Sequence, residues 1–228
     1  DLSMSTESIP YEQAVFGSFA FWDQGYAILA KSPGCRPEWI SDFRAVCGRH
    51  GERPAGAVEA DSLFCLKLPS GPWIVVGVFP QGRDDVGRPG ALAFHALFLK
   101  GADYRRAGAS PFPFRPLLKG RWSAADRTLN AGIFVPPPPG EEPVAVDPAA
   151  DRIARAIERG RRVLVESPEP IEELARNVWA TMNARTRAKA GLSTWAFAVT
   201  NSFHLIGMPR VPMSIERPFV RSETLTVE

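Results

Sequence analysis

Long apolar runs are missing from this 228-residue sequence, and none of its segments approaches the roughly 18 residues that a membrane-spanning helix requires. The opening stretch DLSMSTESIP is polar and lacks the apolar centre of a secretory signal. It carries no initiator Met and so reads as a trimmed start. Cysteine is scarce and odd in number: Cys35, Cys47 and Cys65 show no C-x-x-C spacing. Such a set is neither a disulfide framework nor a zinc pattern, and it reads as reduced, buried thiols in a cytoplasmic protein. No sign of charge dominates, with 27 basic against 25 acidic residues and a formal net charge of +2. A nucleic-acid binder needs a concentrated basic surface, so nucleic acid is an unlikely partner. The phosphate loop G-x-x-x-x-G-K-[ST], the dinucleotide fingerprint G-x-G-x-x-G and the nucleophile elbow G-x-S-x-G are all absent. No nucleotide cofactor is therefore expected by either familiar loop.

The chain is 45% hydrophobic, enough for one sizeable core, and its 22 prolines and 19 glycines are interleaved with apolar segments. That arrangement predicts many fixed turns rather than disorder. YEQAVFGSF and YAILAKS read as short strands around the turn WDQG. Trp39, Ile40, Phe43, Val46 and Cys47 recur at helical spacing, and Pro37 suits a first turn, which predicts an amphipathic helix over 37–48. SLFCLKL and PWIVVGVF, separated by turn residues, predict an antiparallel hairpin of 62–68 with 73–79. ALAFHALFL predicts a strand next to it. Leu92, Phe94, Ala96 and Phe98 face one way and Ala91, Ala93, His95, Leu97 and Leu99 the other. Both faces are apolar, so this strand is expected at the centre of a sheet covered on both sides.

PFPFRPLLKGRW has room for a short helix, and VPPPPGEEPVAVDP reads as a stiff proline-rich connector. DPAADRIARAIERG then predicts a helix and RRVLVES a strand. A longer helix follows in SPEPIEELARNVWATMNARTRAKAG, with Ile171, Leu174, Val178 and Met182 as its stripe, Ser167 as its cap and Pro168 in its first position. Two strands, STWAFAV and FHLIGM, close the series. The organisation expected is an N-terminal α+β lobe over 1–135, a connector over 136–150, and a β-α-β-β lobe over 151–228 packed on the same core. The fold class is α+β, with a mixed, mostly antiparallel sheet and packed helices.

His95, one of three histidines, is the most conspicuous polar residue of an apolar run. A hydrolase would use it as a base, with Cys47 or Cys65 as nucleophile and Asp84 or Asp85 as orienting carboxylate. Both cysteines, however, alternate with apolar residues and look like core. A metal site from His95, His50 and Asp84 has no ligand spacing to support it, and no metal is expected. The preferred reading is a neutral core histidine that gives its ring N–H to a carbonyl or to Asp84 or Asp85. Just before it, GRPG has its own logic. Gly87 and Gly90 permit positive φ, Pro89 pins the turn, and Arg88 projects from a rigid corner to pair with an aspartate or an acidic partner. Arg152, Arg155 and Arg159 share a helix face, with Arg161 and Arg162 just beyond. Asp151 and Glu158 dilute that face, which reads as ordinary surface before it reads as a nucleic-acid contact.

Three segments together resemble one family. GRPGALAFHALFL is similar to the R-P-G-x-x-x-x-H-x-L-x-[LI] signature of the N-terminal domain of bacterial GTPase-associated proteins, matched by Arg88, Pro89, Gly90, His95, Leu97 and Leu99. FGSFAFWDQGYAILAKSPG resembles that family's opening motif, with its G-[YH]-x-L-L-A-x-S core, and NVWATMNARTRAKAGLSTWAF its later helix-to-strand segment. The resemblance covers most of residues 11–207. It departs from the family where Trp and Phe replace more polar residues in the opening motif, and longer members carry further domains. The resemblance implies a non-enzymatic adaptor or regulatory subunit beside a GTPase or another ATP- or GTP-driven component of a bacterial multi-gene system, with defence among the roles. It implies no catalysis and no cofactor. Partner-binding residues are then expected in loops: Phe19, Phe21 and Trp22 near one turn, Phe112 and Phe114 between prolines, and Arg88. The competing reading has these rings closing the ends of the core.

Overall fold

The computed structural model describes residues 8–136 and 147–224. Most of the proline-rich connector, over 137–146, lies outside the described residues. Strand β1 (Ile9–Gly17) pairs antiparallel with β2 (Ala27–Lys31), and helix α1 (Pro37–Cys47) follows. The predicted hairpin forms from β3 (Ser62–Lys67) and β4 (Trp73–Arg83), and β5 (Pro89–Leu99) pairs antiparallel with both β4 and β1. Helix α2 (Gly101–Arg106), a 3₁₀ segment (Phe112–Leu117) and β6 (Gly132–Phe134) complete the first half. Beyond the connector come α3 (Pro148–Glu158), β7 (Arg162–Glu166), α4 (Glu172–Thr181), α5 (Ala184–Arg187), β8 (Leu192–Ser193), β9 (Leu205–Met208) and β10 (Phe219–Arg221).

These strands form one ten-stranded sheet in the order β10-β7-β9-β8-β3-β4-β5-β1-β2, with β6 paired to β1. The pairings β10–β7, β7–β9 and β8–β9 are parallel and the others antiparallel, so the class is α+β with a mixed, mostly antiparallel sheet. The β3–β8 pairing makes the sheet continuous across the two halves of the chain.

β5 lies inside the sheet with apolar side chains on both faces, as its unbroken hydrophobicity predicts. Phe94, Ala96 and Phe98 enter a core with Phe43, Val46 and Cys47 of α1. Trp39 stacks on Phe98 with ring centres 5.9 Å apart. Leu97 and Leu99 enter the opposite core beneath α2, the 3₁₀ segment, α3 and α4. At one end of that second face, Val15, Phe19, Trp22, Leu29, Ala93 and Trp122 form a smaller cluster. Helix α3 starts where Asp147 accepts from the N–H groups of Ala149 and Ala150, with Pro148 in the first turn.

Two sequence expectations are corrected. The long helix after 167 starts later and breaks. Pro168 and Pro170 disfavour helical backbone at the residues before them, so α4 begins only at Glu172. Ser167 accepts from Glu169 N–H in the preceding turn and does not cap the helix. The break falls at Met182 and Asn183, both extended, because Asn183 turns its side chain to cap α5 through Thr186 N–H. Arg187 then folds back onto the carbonyls of Trp179 and Met182. The strand expected over 193–199 also stops early. Only Leu192 and Ser193 pair as strand; Thr194 and Ala196 keep single bonds to the Leu63 and Gly207 carbonyls, and the chain then turns away with Phe197 N–H donating to the His50 carbonyl.

Candidate functional site

The turn at 84–90 is built around Asp84. Its carboxylate accepts from Val86 N–H (3.0 Å), Arg88 N–H (2.7 Å) and Arg88 Nε (2.8 Å). Burial alone would raise its pKa; the Arg88 and Val86 donors outweigh that and hold the carboxyl below its ordinary value. Gly87 and Gly90 take φ of +82° and +89°, the left-handed backbone that favours glycine at such corners. Asp85 ties this turn to the loop after β1 by accepting from Gly25 N–H at 3.2 Å. Tyr26 makes a second tie, its hydroxyl accepting from Leu92 N–H at 3.0 Å.

Beside this turn lies a cavity of about 450 Å³. Its floor is the end of the sheet: Ser62 pairs with Val78 and Pro80 with Leu92, and all four line it. One wall is the loop from His50 to Ala60, and another is the stretch from Trp195 to Phe197 beyond the end of β8. Gly51 lets these two walls touch. It has φ of +85°, and a Cβ there would sit 2.8 Å from the Phe197 carbonyl carbon. At the mouth stand Arg88, paired with Asp84, and Arg53, whose Nη2 lies 2.8 Å from Glu59 Oε1. Tyr26 and Val58 also line the cavity and are exposed, as is Val86 at 68% within the adjoining turn.

His95 lies elsewhere. It is 2% exposed and faces away from this cavity. Its Nδ1 accepts from Lys119 N–H at 2.8 Å, so Nε2 carries the proton and donates to Gln13 Oε1, also at 2.8 Å. The partners are thus Lys119 and Gln13, not Asp84 or Asp85, which are spent on their own turn. Burial, and secondarily the Lys119 charge, push the imidazole down to about 4. Gly77 sits opposite His95 in β4, and the space a side chain would take there is filled by Phe79 and Leu118. That close approach seats residues 118–122 over His95, with the Trp122 ring edge-on to it at 5.1 Å.

Strand pleating separates the two histidines weighed as a metal pair. His50 contacts Phe94, whose side chain leaves β5 on the face opposite to that of its neighbour His95. Among the described residues, no three His, Cys, Asp or Glu side chains converge as a metal site. The thiols considered as nucleophiles are also placed against the role. Cys47 and Cys65 are buried, and desolvation raises both, Cys65 to about 12, so they remain protonated thiols. Cys65 donates to the Tyr104 hydroxyl at 3.3 Å.

Of the loop rings, Phe19, Trp22, Phe112 and Phe114 are buried and Phe21 is 37% exposed. Burial removes four of the five from any exposed docking area. The prolines of 112–117 wind the segment into a 3₁₀ turn that sends Phe112 and Phe114 inward, and Phe114 packs 4.5 Å from Phe134. Trp22 stacks with Phe19 and is covered by Arg127, 5.0 Å from its ring centre. The arginines of 152–162 do not form one basic face. Arg155 pairs with Asp151 at 2.9 Å, and Arg162 turns inward to donate to the Phe203 carbonyl at 2.6 Å.

Sequence reasoning missed His50, Arg53, Ser62 and Trp195 as neighbours. They come from three distant segments, and only the glycines flanking His50 marked one of them as part of a tight loop. Comparison with protein-family models, curated proteins and solved structures yields no match for this chain. Among the described residues, no helix is long and apolar enough to cross a membrane.

Proposed function

We propose that this chain is a non-enzymatic adaptor or regulatory subunit that binds a protein partner at the mouth of the Arg88 cavity. The observation that carries the reading is the exposed group of Tyr26, Val58 and Val86 around a pre-organised turn, with the Arg88 side chain 77% exposed. Apolar side chains on stiff loops, rimmed by charge, lose little conformational entropy on docking. Phe21, in the loop tied to this turn through Asp85, extends the surface. The resemblance of the R-P-G-x₄-H segment to GTPase-associated proteins supports a GTPase or another NTP-driven component as the partner. It also supports a place in a bacterial multi-gene defence system and in the cytoplasm.

A hydrolase centred on His95 has less support, because both ring nitrogens are already bonded inside the fold. Nucleic-acid binding through the 152–162 arginines has less still. The test is affinity recovery of partners from the native host with the wild-type chain and with Val86→Asp and Arg88→Ala. An NTPase recovered with the wild type and lost with either folded variant is expected. Recovery that both variants leave unchanged, or no NTPase at all, would sink the proposal.

A further inference from the structure

The floor of the same cavity holds polar groups that the fold itself does not use. His50 is 7% exposed and its ring packs against Phe64, Phe94 and Phe197. Yet neither of its ring nitrogens has a hydrogen-bond partner among the described residues. Ser62 is buried and its hydroxyl is likewise unpartnered. Trp195 is buried too, and its Nε1 has no partner among the described residues. All three side chains line the cavity. The unbonded polar atoms of His50 and Ser62 stay open to the cavity, whereas Trp195 Nε1 is buried beneath its lining; polar groups in a buried floor are ordinarily bonded, and the open ones are those a ligand can use. His95, equally buried, has both nitrogens engaged, so the core elsewhere does satisfy a histidine.

The chemistry of the lining narrows what could fill those bonds. Desolvation brings His50 down to about 4, so near neutral pH it is uncharged and offers one donor and one acceptor. Ser62 adds a donor and an acceptor, and the Trp195 ring adds wall. At the mouth, two guanidiniums, Arg53 and Arg88, face three carboxylates, Glu52, Glu59 and Asp84. Each guanidinium already faces a carboxylate, so the mouth carries no net positive charge to draw a phosphate. Val78, Pro80, Leu92 and Phe197 supply apolar surface, and the volume falls within the roughly 300–1,000 Å³ of small-molecule sites.

We infer that this cavity binds an uncharged planar heterocycle of the nucleobase or nucleoside kind, its hydrogen-bonding edge on His50 and Ser62 and its faces on the apolar wall. Such a molecule combines adjacent donors and acceptors with a flat apolar face and no charge to neutralise. The inference goes beyond partner docking: it concerns the buried floor and not the mouth, and it is tested on the isolated chain.

The experiment titrates the full chain, ¹⁵N-labelled at histidine and tryptophan, with adenosine, guanosine, cytidine and uridine, and with their 5′-monophosphates. At least one nucleoside should shift the His50 ring and Trp195 indole signals saturably, and its monophosphate should bind more weakly. Ser62→Ala and His50→Phe should each weaken that binding about tenfold, the loss of one hydrogen bond to a buried group. No saturable shift with any of the four, undiminished binding in both variants, or tighter binding of the monophosphate would overturn the assignment. Val86→Asp should leave the nucleoside shifts intact while it abolishes partner recovery, so failure of one reading is separable from failure of the other.

Discussion

Replacing His95 by alanine probes the back of the sheet with a worked magnitude. The substitution strands two groups, Lys119 N–H and Gln13 Oε1, each now bonded to the ring at 2.8 Å. Both bonds are partly buried, so about 1 kcal/mol for each is reasonable. The vacated space under Trp122 adds about 1–2 kcal/mol, because a close-packed interior collapses only partially. The sum is about 3–4 kcal/mol, which for a chain of this size lowers Tm by roughly 6–16 °C. Urea unfolding gives the loss directly, provided the m-value is unchanged. His95→Phe keeps much of the volume but strands the same partners, so it should cost about 2 kcal/mol, the hydrogen-bond share alone. A His95→Ala chain that stays within about 0.5 kcal/mol of wild type, the range of an ordinary surface change, would refute the tethering role. If that chain also lost an activity, a catalytic His95 would return as the better account.

Acid should destabilise the fold through its histidines. His50 and His95 sit near 4 in the folded chain against an ordinary 6.5, so the unfolded chain binds more protons between those values. Their contribution is complete above pH 6.5 and is lost as pH falls toward 4, by at most about 3 kcal/mol each. Urea midpoints from pH 7.5 to 4.5 should fall accordingly and less steeply in His95→Phe, whereas an equally steep fall in that variant would contradict the shift. The loop rings supply a separate check. Trp22→Ala and Phe112→Ala should each cost about 3–5 kcal/mol in stability, as buried aromatics do. Phe21→Ala, at a partly exposed ring, should leave melting nearly unchanged, and the reverse order would show the placement of these loops to be wrong.

Where a regular period reaches over several residues, the sequence foretells the element and its faces. The helix over 37–48, the 62–68 hairpin and the two-faced strand at 91–99 all follow from it. Local competition between backbone and side chain is less visible. Asn183 ends a helix that its neighbours would continue, and no periodicity marks that choice. Long-range partners leave no local trace at all. His95 was recognisable as a core histidine, but Gln13 lies 82 residues away and reaches it only because β1 pairs with β5. The candidate site is the extreme case. Its residues gather where three loops meet the end of the sheet, and the departure of 194–198 from strand geometry, which creates one wall, runs against the local β propensity.

The R-P-G-x₄-H segment can be understood through the pleat of β5. Gly90 and Leu92 line the cavity, and counting by twos along the strand keeps Phe94 on the same face. His95, an odd number of residues from Gly90, must fall on the other face, where it holds the Lys119 segment down. One strand therefore shapes the mouth of the cavity with its first residues and anchors the opposite layer with its middle. The two jobs need different chemistry. The mouth needs left-handed glycines and a guanidinium fixed by Asp84, while the anchor needs a neutral ring that accepts at one nitrogen and donates at the other. A change at His95 should thus appear in stability, and a change at Arg88, whose side chain points to solvent, should appear in binding.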